Sequence, residues 1–313
     1  GINGASSIKE KFMHTNRPAL AICLIIFIIV CFSHHSFSDG RSSFLAPGAA
    51  IKLVQSGFQG TEGPAVDADG NVYFTDTFPA LIYKWTWADG KISLYKEKTG
   101  KAHGLAFDAQ GRLIMTEFAQ GRVTRDDMKG NITVLADSCD WKRLHIPNKL
   151  WIDPKGGIYF SDMYIPAWVI SGGGRGQAPE GRGQTGVPGQ TPEGNSGNEA
   201  IPSAASGAPS KNELGIVYIT PDVKKAIRVA NDLDSPNGLI GTPDGKTFYA
   251  ADQGKVWSYK INPDGTLNDK KLFCEKSTDG FAIDEENNVY LGDKSLFIYS
   301  PSGELLEEIP TPE

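Results

Sequence analysis

The chain has 313 residues, 36 of them Gly and 19 Pro, and a formal net charge of −6 at pH 7. The length suffices for one large core or for two domains. The negative charge argues against nucleic acid as a partner, because phosphate binding needs a basic face. Outside the N-terminus, strand-forming residues separated by turns dominate, and no long run has helical spacing. We therefore expect an all-β protein.

The N-terminal part contains an apolar run at residues 18–32, PALAICLIIFIIVCF. A short basic stretch starting at Met13 precedes the run, and SFS at 36–38 follows it as a small-x-small cleavage site. This is the layout of a secretory signal, and the run is short for a membrane span. We expect residues 1–38 to be a signal peptide, or else an uncleaved membrane anchor. Both predict an exported protein, periplasmic or extracellular.

One sequence unit recurs five times in the rest of the chain. Each copy opens on a polar residue, usually followed by Gly, and continues as an apolar alternation, a turn of the D-x-x-G type, a second alternation and, in most copies, an acidic residue. The copies open at Glu62, His103, Asn148, Asn237 and Asp279. Repeats at a period of roughly 40–45 residues are typical of propellers and solenoids.

Each unit continues into two further alternating runs, which predicts a four-stranded antiparallel propeller blade. Residues 39–48 are expected to be a flexible leader, and residues 49–58 a single strand outside the five units. In closed propellers the first strand often completes the last blade. We therefore predict that residues 49–313 form a six-bladed β-propeller whose sixth blade is incomplete at the C-terminus, with a five-bladed closure as the alternative.

The third unit is interrupted by residues 171–213, which are rich in Gly, Pro, Ser and Gln and nearly free of bulky apolar side chains. Such a segment cannot form its own core, so we expect a disordered insertion in a surface loop. The insertion would emerge on the face that carries the opening residues, where a mobile cover is the alternative. Cys139 and Cys274 belong to non-neighbouring repeats, so we expect two free thiols.

Propeller symmetry brings the starts of the inner strands together around a central channel. Glu62, Asn148, Asn237 and Asp279 would there supply two carboxylates and two amide carbonyls. An all-oxygen set suits a hard divalent cation, Ca²⁺ first, with Mg²⁺, Mn²⁺ or Zn²⁺ as alternatives. One such residue alone is more simply interpreted as a turn former, but four in the same frame favour a metal site.

His103 holds the same frame in the second unit. A neutral imidazole beside a metal-bound carbonyl could act as a general base toward water, and a hydrogen-bonding His that lines the channel is the alternative. Arg143 and His145 shortly precede Asn148 and could contact an anionic substrate. The acids that close the second strands are expected to be turn acceptors or rim residues: Asp76, Glu117, Asp162, Asp252 and Asp293.

Three segments resemble signatures of the SMP-30/gluconolactonase/LRE-like family of six-bladed lactonases and esterases. They are AHGLAFDAQGRLIMTE from Ala102, KRLHIPNKLWIDPKGGIYFSD from Lys142 and SPNGLIGTPDGKTFYAAD from Ser235. The resemblance runs from about Gly60 to the C-terminus, apart from the insertion. It implies a metal ligand at Glu62, ligands or substrate contacts at Asn148 and Asn237, and a ligand that is also a suspected base at Asp279.

This chain departs from the family pattern at three positions. The family's middle signature commonly reads L-N-x-P-N-D, whereas His145 and Lys149 replace the Asn and Asp here. A Lys beside the metal lowers the cation affinity or favours an anionic substrate. His103 stands where gluconolactonases commonly have Asn, and the HG pair resembles the paraoxonases, in which that His is the suspected base. His103, Arg143, His145 and Lys149 are therefore the candidate substrate-binding residues.

Together these features predict a metal-dependent hydrolase that opens a sugar-lactone or gluconolactone-like ring with an activated water, and Asp279 or His103 as the base. Its partner would be a small lactone or ester, and it would meet a membrane only through an uncleaved anchor. One alternative is an aryl-esterase or phosphotriesterase-like activity at the same metal. Another is a non-catalytic exported binding module with a structural metal.

Overall fold

The computed structural model describes residues 44–46, 49, 51–165 and 209–311. The predicted signal peptide or anchor, most of the leader and nearly all of the insertion lie outside the described residues. Residues 209–213 at the end of the insertion are described and include a short 3-10 turn at Lys211–Glu213. Across the described part of the chain no α-helix is present. None of its helical segments is long and apolar enough to cross a membrane.

The described residues form five four-stranded sheets, each with its strands in sequence order. Blade one comprises β1 (Thr61–Val66), β2 (Val72–Asp76), β3 (Leu81–Trp85) and β4 (Ile92–Lys96). Blade two comprises β5 (Ala102–Phe107), β6 (Leu113–Glu117), β7 (Arg122–Asp126) and β8 (Ile132–Ala136). A small hairpin of β9 (Ser138–Cys139) and β10 (Lys142–Arg143) follows.

The last three blades continue the same pattern. Blade three comprises β11 (Ile146–Ile152), β12 (Ile158–Met163), β13 (Gly215–Ile219) and β14 (Ala226–Ala230). Blade four comprises β15 (Pro236–Gly241), β16 (Thr247–Asp252), β17 (Lys255–Ile261) and β18 (Leu267–Cys274). Blade five comprises β19 (Gly280–Ile283), β20 (Val289–Gly292), β21 (Ser295–Tyr299) and β22 (Leu305–Pro310). The prediction of an all-β propeller is confirmed, and five blades are described.

The hydrophobic core lies between adjacent blades rather than in one central cluster. The inner strands β1, β5, β11, β15 and β19 pack against one another in chain order. Between blades three and four, for example, Tyr159 and Phe248 are fully buried with ring centroids 5.1 Å apart. Alternation along each strand explains this arrangement, because successive side chains point to opposite faces of a blade and pack against the blade adjacent to that face. The packed sheets hold the starts of the inner strands at one end of the channel, which we call the channel mouth.

Three of the five acids that close the second strands, namely Asp76, Asp162 and Asp252, act as turn acceptors. Asp76 Oδ1 accepts hydrogen bonds from the backbone N–H groups of Gln59 and Gly60 at 2.9 and 2.7 Å. Asp162 does the same for His145 and Ile146 at 2.9 and 3.0 Å, and Asp252 for the two residues before β15. Each carboxylate thus fixes the backbone that enters an inner strand. Asp76, Asp162 and Asp252 are buried, so at these positions the rim alternative is wrong.

The predicted strand at residues 49–58 is not formed where the structure describes it. Residues 51–58 belong to none of the described sheets, and the exposed fractions of Leu53 and Val54 are 77% and 66%. Phe58 is anchored on blade one, because its ring contacts those of Phe74 and Tyr83 at 5.2 and 5.1 Å. A strand needs a partner for its backbone groups, and no described strand pairs with this segment.

The two cysteines of the propeller are free thiols, as predicted. Cys139 is buried in the cluster between blades two and three, and Cys274 packs against the cluster between blades four and five. Burial raises the pKa of the Cys139 thiol to about 12 and that of Cys274 to about 11. Both thiols therefore act as small apolar core groups.

Candidate active site at the channel mouth

Four of the five opening residues lie at irregularities of the inner strands. The strand register shifts between Glu62 and Ala65 in β1, and at the corresponding places in β5, β11 and β15. A β-bulge breaks the regular alternation and re-aims the side chains beside it, which is a common feature of active sites. The fifth opening residue, Asp279, directly precedes β19. The repeated sequence frame therefore corresponds to a repeated bulge that turns polar side chains toward the channel mouth.

The Gly after the opening residue allows adjacent inner strands to approach closely. A Cβ atom at Gly104 would lie 2.5 Å from the backbone oxygen of Asn148 in the next blade. A Cβ atom at Gly238 would lie 3.1 Å from the backbone oxygen of Asp279. Only Gly fits such an approach without displacing the neighbouring backbone. The spacing of the opening side chains thus depends on this second position of the frame.

A chain of side-chain hydrogen bonds joins four opening residues across blades two to five. His103 Nδ1 lies 3.0 Å from Asn148 Oδ1. Asn148 Nδ2 donates to Asn237 Oδ1 at 3.1 Å, and Asn237 Nδ2 donates to Asp279 Oδ1 at 2.6 Å. The structure therefore brings together His103, Asn148, Asn237 and Asp279, as the repeat frame predicted.

The direction of this chain assigns the tautomer of His103. A carboxylate only accepts hydrogen bonds, so Asp279 makes Asn237 the donor, and each amide in turn presents its oxygen to the next residue. Asn148 consequently accepts from His103, which places the proton on Nδ1 and leaves Nε2 as a hydrogen-bond acceptor. The imidazole ring is also stacked on Phe118, with centroids 5.1 Å apart and planes 14° from parallel. The stacking and the hydrogen bond together fix the plane of the imidazole ring.

The environment keeps His103 neutral at ordinary pH. Burial lowers the pKa of His103 to about 4 and is the largest cause, while Glu62 opposes the shift and Lys149 adds to it. A neutral imidazole can accept a proton at Nε2, whereas an imidazolium cannot. The low pKa makes His103 a weaker base than free imidazole, but one that is deprotonated over the whole neutral range.

Glu62, the remaining opening residue, is paired with a cation from the same chain. Its Oε2 atom forms an ion pair with Lys149 Nζ, which links blade one to blade three at the channel mouth. The side chain of Lys149 is 12% exposed and that of Glu62 is 32% exposed, so the pair is partly shielded from water. Of the predicted substrate-binding residues, Lys149 and His103 therefore belong to the site itself.

Arg143 and His145 have other contacts. Arg143 Nη2 donates to the backbone oxygen of Gln120 at 3.0 Å, and His145 Nε2 lies 3.6 Å from Glu213 Oε2. Glu213 also accepts from Lys142 Nζ at 2.7 Å, so it ties the end of the insertion to the β9–β10 hairpin. Within the described residues, the polar contacts of Arg143 and His145 do not involve the hydrogen-bonded chain.

A cleft of about 180 Å³ opens beside Asn237 and Asp279. Much of its wall is polar, and its lining includes Ser235, Gln253, Ser277 and Thr278. These residues precede inner strands or occupy the β16–β17 turn, outside the opening positions, so the repeat frame did not identify them. The only sequence signal was their position next to the closing acid or the opening residue of blades four and five.

The four predicted metal donors fit a hard cation in donor type, since carboxylate and amide oxygens are the preferred ligands of Ca²⁺. The charge of the four donors suits a cation less well. Lys149 neutralises Glu62, so Asp279 is the one carboxylate of the four whose charge is not neutralised by Lys149. The described residues contain no metal-type cluster of three or more His, Cys, Asp or Glu side chains. Asn148 and Asn237 do not count toward such a cluster, because they are amides.

Comparison with known proteins agrees with the architecture. Residues 60–168 and 192–313 match the model of the SMP-30/Gluconolactonase/LRE-like region. A gluconolactonase of Zymomonas mobilis subsp. mobilis is 22% identical over 301 residues, which cover 86% of this chain and 75% of that protein.

Two solved structures share the fold. A gluconolactonase from Xanthomonas campestris is 25% identical, with a TM-score of 0.65 over 83% of this chain and 78% of the other. The calcium-binding protein regucalcin from Agrobacterium tumefaciens is 15% identical, with a TM-score of 0.60 over 84% and 78% of the two chains. The family model alone matches well over half of the residues. The chain therefore belongs to the SMP-30/gluconolactonase/LRE-like family.

Proposed function

We propose that the protein is a hydrolase that opens a lactone ring, of the sugar-lactone or gluconolactone type. The observation that carries the proposal is the directed hydrogen-bonded chain from His103 to Asp279, which ends beside a polar cleft. Family membership and the two gluconolactonase relatives support lactone chemistry. The Ser, Thr, Asn, Asp and Gln side chains in the lining of the cleft suit a substrate that carries several hydroxyl groups.

In the proposed reaction, His103 Nε2 accepts a proton from a water molecule as the water oxygen bonds to the lactone carbonyl carbon. The ring C–O bond then breaks, and the ring oxygen takes up a proton to give a hydroxy acid. Asn148 holds the imidazole in the required tautomer. Asp279 is the second candidate base, because it lines the cleft directly.

We further propose that Glu62, Asn148, Asn237 and Asp279 hold a divalent cation, Ca²⁺ first and Mg²⁺, Mn²⁺ or Zn²⁺ next. When bound, such an ion would supply a Lewis acid for the carbonyl oxygen. The donor types and the resemblance to the family support this proposal, and the calcium-binding relative is consistent with it. The Lys149–Glu62 pair acts against it, because it neutralises one of the two carboxylates.

Two other features also remain proposals. We propose a six-bladed architecture, of which the five described blades are part. We also propose that the protein is exported, on the basis of the apolar run at residues 18–32.

The enzymatic proposal is tested with purified protein on gluconolactone, simple γ-lactones, an aryl ester and a phosphotriester, before and after chelation. We expect the highest kcat/KM on a lactone, and a loss of about 10²–10⁴-fold in kcat in His103→Gln if His103 is the base. A loss confined to Asp279→Asn would assign the base to Asp279. Gln110→Ala, in an exposed turn of blade two, is the matched control and should keep full activity.

Absence of lactone turnover with preserved cation binding would replace the proposal by a binding module with a structural metal. Preferred turnover of the aryl ester or the phosphotriester would assign the site to that substrate class. Full activity in both His103→Gln and Asp279→Asn would contradict the assigned chemistry.

A further inference from the structure

The second position of the repeat frame differs in one blade. It is Gly63, Gly104, Gly238 and Gly280 in blades one, two, four and five. In blade three it is Lys149, the residue whose ammonium group pairs with Glu62. The frame thus introduces a single cation into a ring of oxygen donors, at a position where the other copies have no side chain.

We propose that Lys149 is a tethered cation that competes with a divalent metal ion for Glu62. The inference rests on the oxygen-donor site of the proposed function. It adds that this site has two states, one with and one without the divalent ion. In one state Lys149 neutralises Glu62, and in the other a divalent ion binds Glu62 and the ammonium group is displaced. The Lys149 ammonium group and a divalent ion cannot occupy the same position at the Glu62 carboxylate oxygen at the same time.

The backbone of Lys149 is held in place by hydrogen bonds. The Lys149 N–H donates to Ser161 Oγ at 3.1 Å, and the same hydroxyl donates to the backbone oxygen of Asn237 at 3.1 Å. The residue is therefore anchored between two blades. Its flexible four-carbon stem is what allows the ammonium group to leave Glu62.

Charge explains why the competition should be measurable. Glu62 and Asp279 give the donor set a charge of −2, and Lys149 reduces it to −1. A divalent ion that binds Glu62 must either displace the Lys149 ammonium group or lie close to it. This ammonium group is largely shielded from water, so its repulsion of the ion is strong. Removing this charge should therefore tighten cation binding by about tenfold or more, since only 1.4 kcal/mol is needed for a factor of ten.

The experiment measures Mn²⁺ affinity by electron paramagnetic resonance and Ca²⁺ affinity by calorimetry on the full protein. Lys149→Met, which retains much of the length of the stem without the charge, should bind both ions at least about tenfold more tightly than the wild type. Lys149→Arg keeps the charge and should bind as weakly as the wild type. Lys155→Met, at the opposite end of the same inner hairpin, is the matched control and should change nothing.

A second comparison tests the role of Glu62. In a Glu62→Gln background, where the contested carboxylate is absent, the Lys149→Met change should tighten binding much less. Circular dichroism and thermal unfolding verify that each variant is folded, and Lys149→Gln replaces Lys149→Met if the latter is not. Equal affinities of the wild type and a folded, uncharged variant would overturn the competition.

The outcomes separate this inference from the function on which it rests. If neither the wild type nor Lys149→Met binds Mn²⁺ or Ca²⁺, the divalent-ion part of the proposed function fails and the inference fails with it. If both bind equally, the inference alone fails. Lactone turnover is measured in parallel and decides the hydrolase proposal independently of either result.

Discussion

The backbone of the next blade limits which residue fits at some positions of the channel mouth. Gly104 illustrates this, because it lies against the backbone oxygen of Asn148. Asn148 is itself 5% exposed and is hydrogen-bonded to both His103 and Asn237. A shift of one inner strand therefore disturbs the hydrogen-bonded chain.

The change Gly104→Ala should be destabilising. Its Cβ atom would lie 2.5 Å from the Asn148 backbone oxygen and 3.0 Å from Thr116 Oγ1. Overpacking of this kind costs about 1–3 kcal/mol of unfolding free energy, measured by urea denaturation. Gly280→Ala is a matched control at the same frame position, because nothing lies within 4 Å of its added Cβ. Equal effects of the two substitutions would contradict the close approach at blade two.

Buried carboxylates at the ends of the second strands stabilise the entry into the inner strands. Asp162 is fully buried, accepts two backbone hydrogen bonds and lies 3.4 Å from Arg228 Nη2. Burial is the largest influence on this carboxyl, and it raises the pKa of Asp162 to about 6 despite the favourable neighbours. Asp162 is therefore the closing acid at which pH should affect stability.

The raised pKa fixes the sign of the pH effect. The folded state binds the Asp162 proton more tightly than the unfolded state, so this contribution to stability is fully present below the ordinary Asp pKa. It is lost as the pH rises through about 6. The unfolding free energy of the wild type, relative to Asp162→Asn, should therefore fall between pH 4 and pH 7. Parallel pH profiles of the two proteins in urea denaturation would contradict the assignment.

Within residues 51–58, Phe58 packs on the propeller while its neighbours are largely exposed. Phe58 contacts Phe74 and Tyr83 in blade one, whereas Leu53 is largely exposed. Phe58→Ala should lower the unfolding free energy by about 2 kcal/mol, less than for a fully buried Phe, because the ring is only partly buried. Leu53→Ala should change it by less than about 0.5 kcal/mol. A comparable loss at Leu53, measured by denaturant titration, would indicate that the segment is paired in solution.

At the scale of the whole molecule, the sheets are joined by apolar clusters between blades and by polar residues around the channel. Fully buried aromatic residues such as Tyr159 and Phe248 connect blades three and four. The Lys149–Glu62 pair connects blades one and three, which are not neighbours in the ring. The candidate site is thus formed by several blades together, since each blade contributes one opening residue.

The sequence alone determined the repeat, the all-β fold and the five opening positions. These follow from local patterns, because strand alternation and D-x-x-G turns are specified by neighbouring residues. The turn at Asp67, whose Oδ1 accepts from the N–H groups of Asp69 and Asn71, was predictable in this way. The predicted strand at residues 49–58 was wrong for residues 51–58 because a strand also depends on a partner.

Only the tertiary structure decided how the opening residues interact. The sequence placed Lys149 beside Asn148, but its pairing with Glu62 joins residues 87 positions apart. The tautomer of His103 likewise depends on a chain of hydrogen bonds that ends at Asp279 in blade five. Sequence spacing specifies which side chains reach the channel mouth. Their partners depend on how five separate sheets pack around it, because contacts between blades join residues that are far apart in the chain.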